Sequence, residues 1–130
     1  MIKLIDYKRQ SKFYKHKILK NIKKNIENGD FILGNNVNLL ESKIKKIIKS
    51  RYCLSCSSGT DALLMSLLAL DIKPNDIIFT TVYSYISTGE VIKLLGAIPI
   101  FVDVDEKSFN IDPSKLESSI KNIRSKNFFK

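Results

Sequence analysis

The sequence predicts an α/β fold in which a mainly parallel sheet carries helices on both faces. Three observations predict it. Short apolar runs at residues 52–56, 77–81 and 99–104 alternate with segments of helical periodicity. The intervening helices stop and start at suitable residues, with Gly96 as a C-cap and Asp112-Pro113 opening the last one. Strands separated by helices pair most readily side by side in one direction, the helices crossing over the sheet.

The first helix spans about residues 8–28. Tyr14, Ile18, Ile22 and Ile26 recur every fourth position, with Leu19 beside them and lysines around the remainder. Such a stripe suits packing on a domain. A helix lying on a membrane surface would look similar, but no Trp is present to anchor it. Asn28-Gly29-Asp30 ends the helix, and Phe31-Ile32-Leu33-Gly34 links it to a second one over about 36–50, with Asn35 or Asn36 as its cap. Val37, Leu40, Ile44, Ile47 and Ile48 share one stripe there, and lysines occupy the far face. The strand at 52–56 follows directly.

The helix at 60–70 is apolar nearly all round, through Leu63, Leu64, Met65, Leu67, Leu68 and Leu70, and should be covered on several sides. A loop with Pro74 leads to the strand at 77–81, whose β-branched residues lie on either face. A polar and aromatic segment, Val82 to Thr88, opens the helix that runs to Leu95.

At 130 residues the chain suits one domain or part of one. Its start lacks the apolar core of a signal peptide, and no apolar stretch approaches the ~20 residues that span a bilayer. The expected location is therefore cytoplasmic. The net charge of +9 sits wholly in residues 1–50, which hold thirteen Lys/Arg against four Asp/Glu. A basic region can bind nucleic acid or anionic lipid, but these residues are overwhelmingly Lys, and Arg is the better reader of phosphate and base edges. A solvated basic face is the expectation, with neither nucleic acid nor membrane insertion. Cys53 and Cys56 form a lone C-x-x-C with a single distant histidine, His16, so a four-ligand zinc site is unfilled and no metal is expected. Buried, reduced thiols are expected instead.

The central feature is the break at Ser57-Ser58-Gly59-Thr60, between strand and helix. A small-residue turn there aims backbone N–H groups and the positive end of the helix dipole at one point, and the Thr60 hydroxyl adds a donor. A phosphate seat would use these groups. A plain helix cap would use the same residues for ~1 kcal/mol of stability, and from spacing alone capping is the stronger reading. Neither G-x-x-x-x-G-K-[ST] nor G-x-G-x-x-G occurs, which excludes the common nucleotide loops. Tyr83 and Tyr85 follow the next strand, at the same carboxyl edge where open α/β sheets bind ligands. They suit stacking on a flat, phosphate-bearing cofactor, or core packing.

Taken together in order, Leu4-Ile5-Asp6, Phe31-Ile32-Leu33-Gly34, Ser58-Gly59-Thr60-Asp61-Ala62-Leu63, Thr80 to Thr88, Leu95-Gly96-Ala97-Ile98-Pro99, Phe101-Val102-Asp103-Val104-Asp105 and Asn110-Ile111-Asp112-Pro113 resemble the N-terminal part of the DegT/StrS sugar-nucleotide aminotransferases. The lead-in at 52–56 looks most similar to members that aminate a 3-oxo uronate or 3-oxo sugar nucleotide. The resemblance implies a three-layer α-β-α domain, here part of the large domain of fold type I, with pyridoxal 5'-phosphate as cofactor. It implies that Gly59 and Thr60 hold the cofactor phosphate with Ser58 adjacent, and that Tyr85 stacks on the pyridine ring. It further implies transfer of an amino group from glutamate to a keto sugar nucleotide by a dimeric enzyme serving polysaccharide or amino-sugar synthesis.

The same resemblance puts the Schiff-base lysine, the ring-nitrogen aspartate and a C-terminal domain beyond Lys130, so no catalytic residue is expected within the chain. The expected organisation is a helical segment at 1–50, a partial cofactor-binding domain at 51–120 and a tail at 121–130 that lacks the next strand. In the family's sheet, later strands fill a gap between the strand matching 52–56 and the other two. Alone, the chain is therefore expected to fold poorly, to re-pair its strands, or to act as a complementing subunit of an intact homologue.

Overall fold

The computed structural model describes residues 4–125, and the residues at 1–3 and 126–130 lie outside the described part. The chain forms two compact units, Met1–Ser55 and Cys56–Lys130.

The first unit holds α1 (Tyr7–Asn28) and α2 (Asn35–Ile48). The Asp6 carboxylate starts α1 by accepting the Arg9 N–H at 3.0 Å, and Gly29, at φ +64°, ends it with its N–H turned back to the Ile26 carbonyl. The cap of α2 differs from expectation. Neither Asn35 nor Asn36 caps it; Gly34 holds the N-cap position, and the Asp30 carboxylate accepts the Asn35 N–H at 3.0 Å from four residues before Gly34. A side chain at Gly34 would collide with that carboxylate, so the glycine permits the close approach. No residue of α1 is buried, and Ile18, Ile22 and Ile26 all remain exposed. The apolar stripe is present as expected, but among the described residues it has no covering partner.

The strand expected at 52–56 does not form; the segment carries no regular structure and pairs with no strand among the described residues. A strand needs a neighbour, and a side chain stands in for one here. The Glu41 carboxylate accepts both the N–H and the hydroxyl of Ser55 at 2.8 Å. These bonds hold the Glu41 carboxyl below the usual carboxylate range, the backbone donor contributing most.

The second unit runs α3 (Gly59–Ala69), β1 (Ile77–Thr81), α4 (Ser87–Leu94), β2 (Ile98–Val102) and α5 (Pro113–Ser125). The two strands pair in parallel with Ile77 opposite Ile98 and Thr81 opposite Val102, so the fold is α/β. Two hydrogen bonds set this register, from Ile98 N–H to the Asp76 carbonyl at 2.7 Å and from Asn75 N–H to the Gly96 carbonyl at 2.9 Å. Gly96 adopts φ +74° where α4 turns into β2. α5 opens on Asp112, whose carboxylate accepts the Ser114 N–H at 2.8 Å. Lys115 reaches back from α5 to the Asp103 carboxylate at 3.0 Å.

Side chains alternate across the sheet. Pro99 and Phe101 share a cleft with α4, whereas Ile77 and Phe79 share a hollow with α5, so the two helices lie on opposite faces. The buried core is small: Val91, Ile92, Ala97, Val102 and Ile123, with Ser87. The expected cover over α3 is missing. Leu63, Met65 and Leu68 are 39%, 41% and 55% exposed, because α4 is the element packed against this helix. Of the expected tail, the residues at 121–125 continue α5 and those at 126–130 lie outside the described part.

Candidate functional site

The turn before α3 carries most of the candidate residues. Ser58, in extended conformation, is the N-cap; its oxygen accepts the Asp61 N–H at 3.1 Å and its hydroxyl donates to the Asp61 carboxylate at 3.0 Å. The serine hydroxyl thus serves the first turn of the helix while the acid three residues on accepts from that same hydroxyl. Ser57 donates its hydroxyl to the same Asp61 oxygen. The two hydroxyls, Ser57 foremost, hold the Asp61 carboxyl below its ordinary range. The residue types of this turn made a cap legible; the part played by Ser57 was not.

Capping does not exhaust the turn. Of the four amides at the start of α3, Asp61 N–H goes to the Ser58 side chain and Ala62 N–H to the Ser58 carbonyl at 3.0 Å. The N–H groups of Gly59 and Thr60 find no acceptor among the described residues. They sit at the positive end of α3, where unpaired donors attract anions. A Cβ built on Gly59 would meet nothing within 4 Å. Among the described residues no neighbouring atom therefore demands a glycine; what the residue provides is bare backbone facing open space. Cap and anion seat coexist here, on different amides of one turn.

Thr60 also lines an apolar cleft of about 650 Å³ with Ile86, Leu94, Pro99 and Phe101. Gly89 forms part of its wall, and a Cβ there would approach the Phe101 ring to 2.9 Å. α3 packs on α4, so the segment leading into α4 comes alongside the turn. Tyr85 belongs to that segment but its ring does not line the cleft. Core packing, one of the two readings for the tyrosines, is overturned: Tyr83 and Tyr85 are 67% and 77% exposed. Tyr83 meets Phe109, ring centroids 5.7 Å apart, which leaves Tyr85 as the tyrosine of this segment without an aromatic neighbour among the described residues. The expectation of buried thiols also fails. Cys56 is exposed, with its sulfur 3.3 Å from the Ser58 carbonyl oxygen, and Cys53 is half-buried; both are free. Losing the strand at 52–56 removes the cover that would have buried them.

This geometry has relatives. Residues 13–127 match the DegT/DnrJ/EryC1/StrS aminotransferase family. The chain belongs to this aminotransferase family. A family relative from Pseudomonas aeruginosa, a UDP-2-acetamido-2-deoxy-3-oxo-D-glucuronate aminotransferase, is 40% identical over 120 residues, covering 92% of this chain and 33% of the relative. Among solved structures, a DegT DnrJ EryC1 StrS aminotransferase from Brucella abortus superposes with a TM-score of 0.91 at 31% identity, over 98% of this chain and 34% of that one. A Bacillus subtilis structure with bound cofactor PMP follows at a TM-score of 0.76 and 32% identity, over 79% of this chain and 24% of that one. This family member therefore spans about a third of the length of the relatives it matches. Its likeness to an aminotransferase of a 3-oxo uronate sugar nucleotide agrees with the resemblance read from residues 52–56. Among the described residues no helix is long and apolar enough to cross a membrane.

Proposed function

We propose that this chain supplies the phosphate-holding third of a pyridoxal-phosphate-dependent aminotransferase that moves an amino group from glutamate to a keto sugar nucleotide. The observation that carries the reading is the pair of unengaged amides on Gly59 and Thr60, in front of open space at the start of α3. The donor set fits a dianionic phosphate ester: two convergent N–H groups, a helix N-terminus and the Thr60 hydroxyl. Ser58 keeps the turn in shape by capping, and Tyr85, exposed and free of ring partners, is available to lie on a flat cofactor ring. When bound, pyridoxal phosphate supplies the electron-withdrawing ring that amino-group transfer requires.

The division of labour follows the family. Residues 4–55 belong to the helical unit and 56–125 to the partial cofactor-binding unit. The lysine and the acid that act on the cofactor, and the sugar-binding domain, belong in this reading to the part of the family's sequence outside the third matched here. Assembly with an intact homologue is the second reading, favoured by the uncovered leucines of α3. The substrate class, a keto sugar nucleotide with glutamate as amino donor, rests on the relatives' chemistry.

Backbone amide resonances followed during titration test the seat. Pyridoxal phosphate and inorganic phosphate should both move the Gly59 and Thr60 amides, and pyridoxal lacking the phosphate should not. Thr60→Ala should weaken phosphate binding about tenfold, as expected for losing a hydrogen bond of ~1.5 kcal/mol to a charged group. Shifts that follow pyridoxal alone, or that ignore Thr60→Ala, would remove the assignment.

A further inference from the structure

Helix α1 is 22 residues long, and none of them is buried. At about 100° per residue, Ile18, Leu19, Ile22 and Ile26 fall within one narrow arc of its surface. These four side chains are between 48% and 62% exposed, and no helix or strand packs broadly against α1 among the described residues. Tyr7 and Tyr14 continue the arc toward the start of the helix, each an apolar ring with a polar tip.

The rest of the helix is cationic. α1 carries eight Lys/Arg and a single acid, Glu27. Glu27 lies 3.8 Å from Lys23, and the other seven cations have no carboxylate partner among the described residues. Lys17, Lys20, Lys23 and Lys24 all fall outside the apolar arc, whereas Lys8 and Lys15 interrupt it nearer the start. The separation of apolar from charged is therefore cleanest over residues 17–26. Lys20 and Lys24 stand one turn apart, a like-charge spacing that costs the helix stability until an anionic neighbour relieves it.

We propose that α1 lies flat on an anionic lipid surface, its isoleucines at the boundary of headgroups and acyl chains and its lysines among the headgroups. Charge complementarity chooses this occupant. A nucleic acid would take up the lysines and leave the isoleucine arc in water. A second copy of α1 would cover the arc but bring two cationic helices together. An anionic leaflet is apolar within and negative at its surface, so it meets both faces at once. Lysine suffices for that attraction, which needs charge and not the bidentate fork of arginine. The helix adsorbs and does not span, and without Trp the attachment is shallow and reversible. The proposal concerns the first unit alone and does not rest on the phosphate seat.

The test is co-sedimentation of the full 130-residue chain with vesicles of phosphatidylcholine alone and of equal parts phosphatidylcholine and phosphatidylglycerol, with duplex DNA as competitor. Binding to the anionic vesicles should be at least ~100-fold tighter than to the neutral ones, and should fall as salt rises from about 0.1 M to about 1 M. Lys20→Gln with Lys24→Gln should weaken it about 25-fold, at about fivefold per charge. Ile22→Gln with Ile26→Gln should weaken it at least ~tenfold, and glutamine keeps the helix. Amide exchange across Ile18 to Ile26 should slow on anionic vesicles and not on neutral ones, with α5 unchanged; this reading of the unsubstituted chain decides the matter even if a variant fails to fold. Inorganic phosphate should displace the chain no more than its ionic strength explains, which separates this surface from the amides of Gly59 and Thr60. No vesicle binding, equal binding to both vesicle types, binding indifferent to the isoleucine pair, a preference for DNA, or a dimer paired through α1 would overturn the proposal.

Discussion

Replacing Ser58 by Ala removes the cap of α3 and leaves the two unengaged amides in place. In the native turn the Ser58 oxygen accepts the Asp61 N–H at 3.1 Å and its hydroxyl donates to the Asp61 carboxylate at 3.0 Å. Both bonds vanish in Ser58→Ala, and the Asp61 N–H joins those of Gly59 and Thr60 without an acceptor. N-cap losses of this kind cost about 1 kcal/mol, and Ser58→Gly only a few tenths. One kilocalorie per mole corresponds to a roughly fivefold rise in the open population of the helix. Amide exchange at Ala62 to Met65 should therefore speed up about fivefold in Ser58→Ala, with α5 unaffected. The cap is also pH-dependent. Asp61 titrates below its unfolded value, so its contribution is complete above the unfolded pKa and is lost as pH falls through the folded one. Exchange in α3 that is indifferent to Ser58→Ala, or that rises equally throughout the unit, would refute this account of the turn. Phosphate shifts at Gly59 and Thr60 should survive Ser58→Ala, because the substituted oxygen is not one of the seat's donors; their disappearance would mean that cap and seat are one device.

Two further substitutions test the frame around the site. Glu41 holds Ser55 with its carboxylate, and its folded pKa is depressed by those bonds, so the tether is complete above the ordinary glutamate range and fails as pH falls through the folded value. Exchange of the Ser55 amide should therefore accelerate on acidification, and in Glu41→Gln it should be faster at neutral pH and nearly free of this pH dependence. Gly96 sits at φ +74° with the Cβ of Pro74 only 3.2 Å from where its own would lie. Gly96→Ala should lower stability by about 1–2 kcal/mol, from the left-handed backbone alone. The expected readout is a lower urea midpoint with an unchanged slope.

Helices and their periodicities were legible because they depend on local spacing. The stripes of α1 and α2, the Gly96 stop and the Asp112-Pro113 start all appear in the structure within a residue or two of where the pattern puts them. The parallel pairing of β1 and β2 was legible too, since the helix between them forces a crossover. At the site, the small-residue turn could be read, as could the competition between capping and anion binding. Which amides each would claim could not, because that depends on how Ser57, Ser58 and Asp61 fold onto one another. The Asp30 cap of α2 and the Glu41 grip on Ser55 were equally hidden, each joining residues too far apart for a local motif to reveal.

By itself, then, the sequence determined the five helices and the two paired strands of the described residues in their order, the turn that presents Gly59 and Thr60, and the family. Tertiary structure alone decided that 52–56 is not a strand, that the cysteines are not buried, and that Leu68 and Tyr85 face outward. The reason is physical. Helices satisfy their own backbone hydrogen bonds, so local sequence suffices to specify them, whereas strands and buried side chains exist only when a neighbour supplies the missing half.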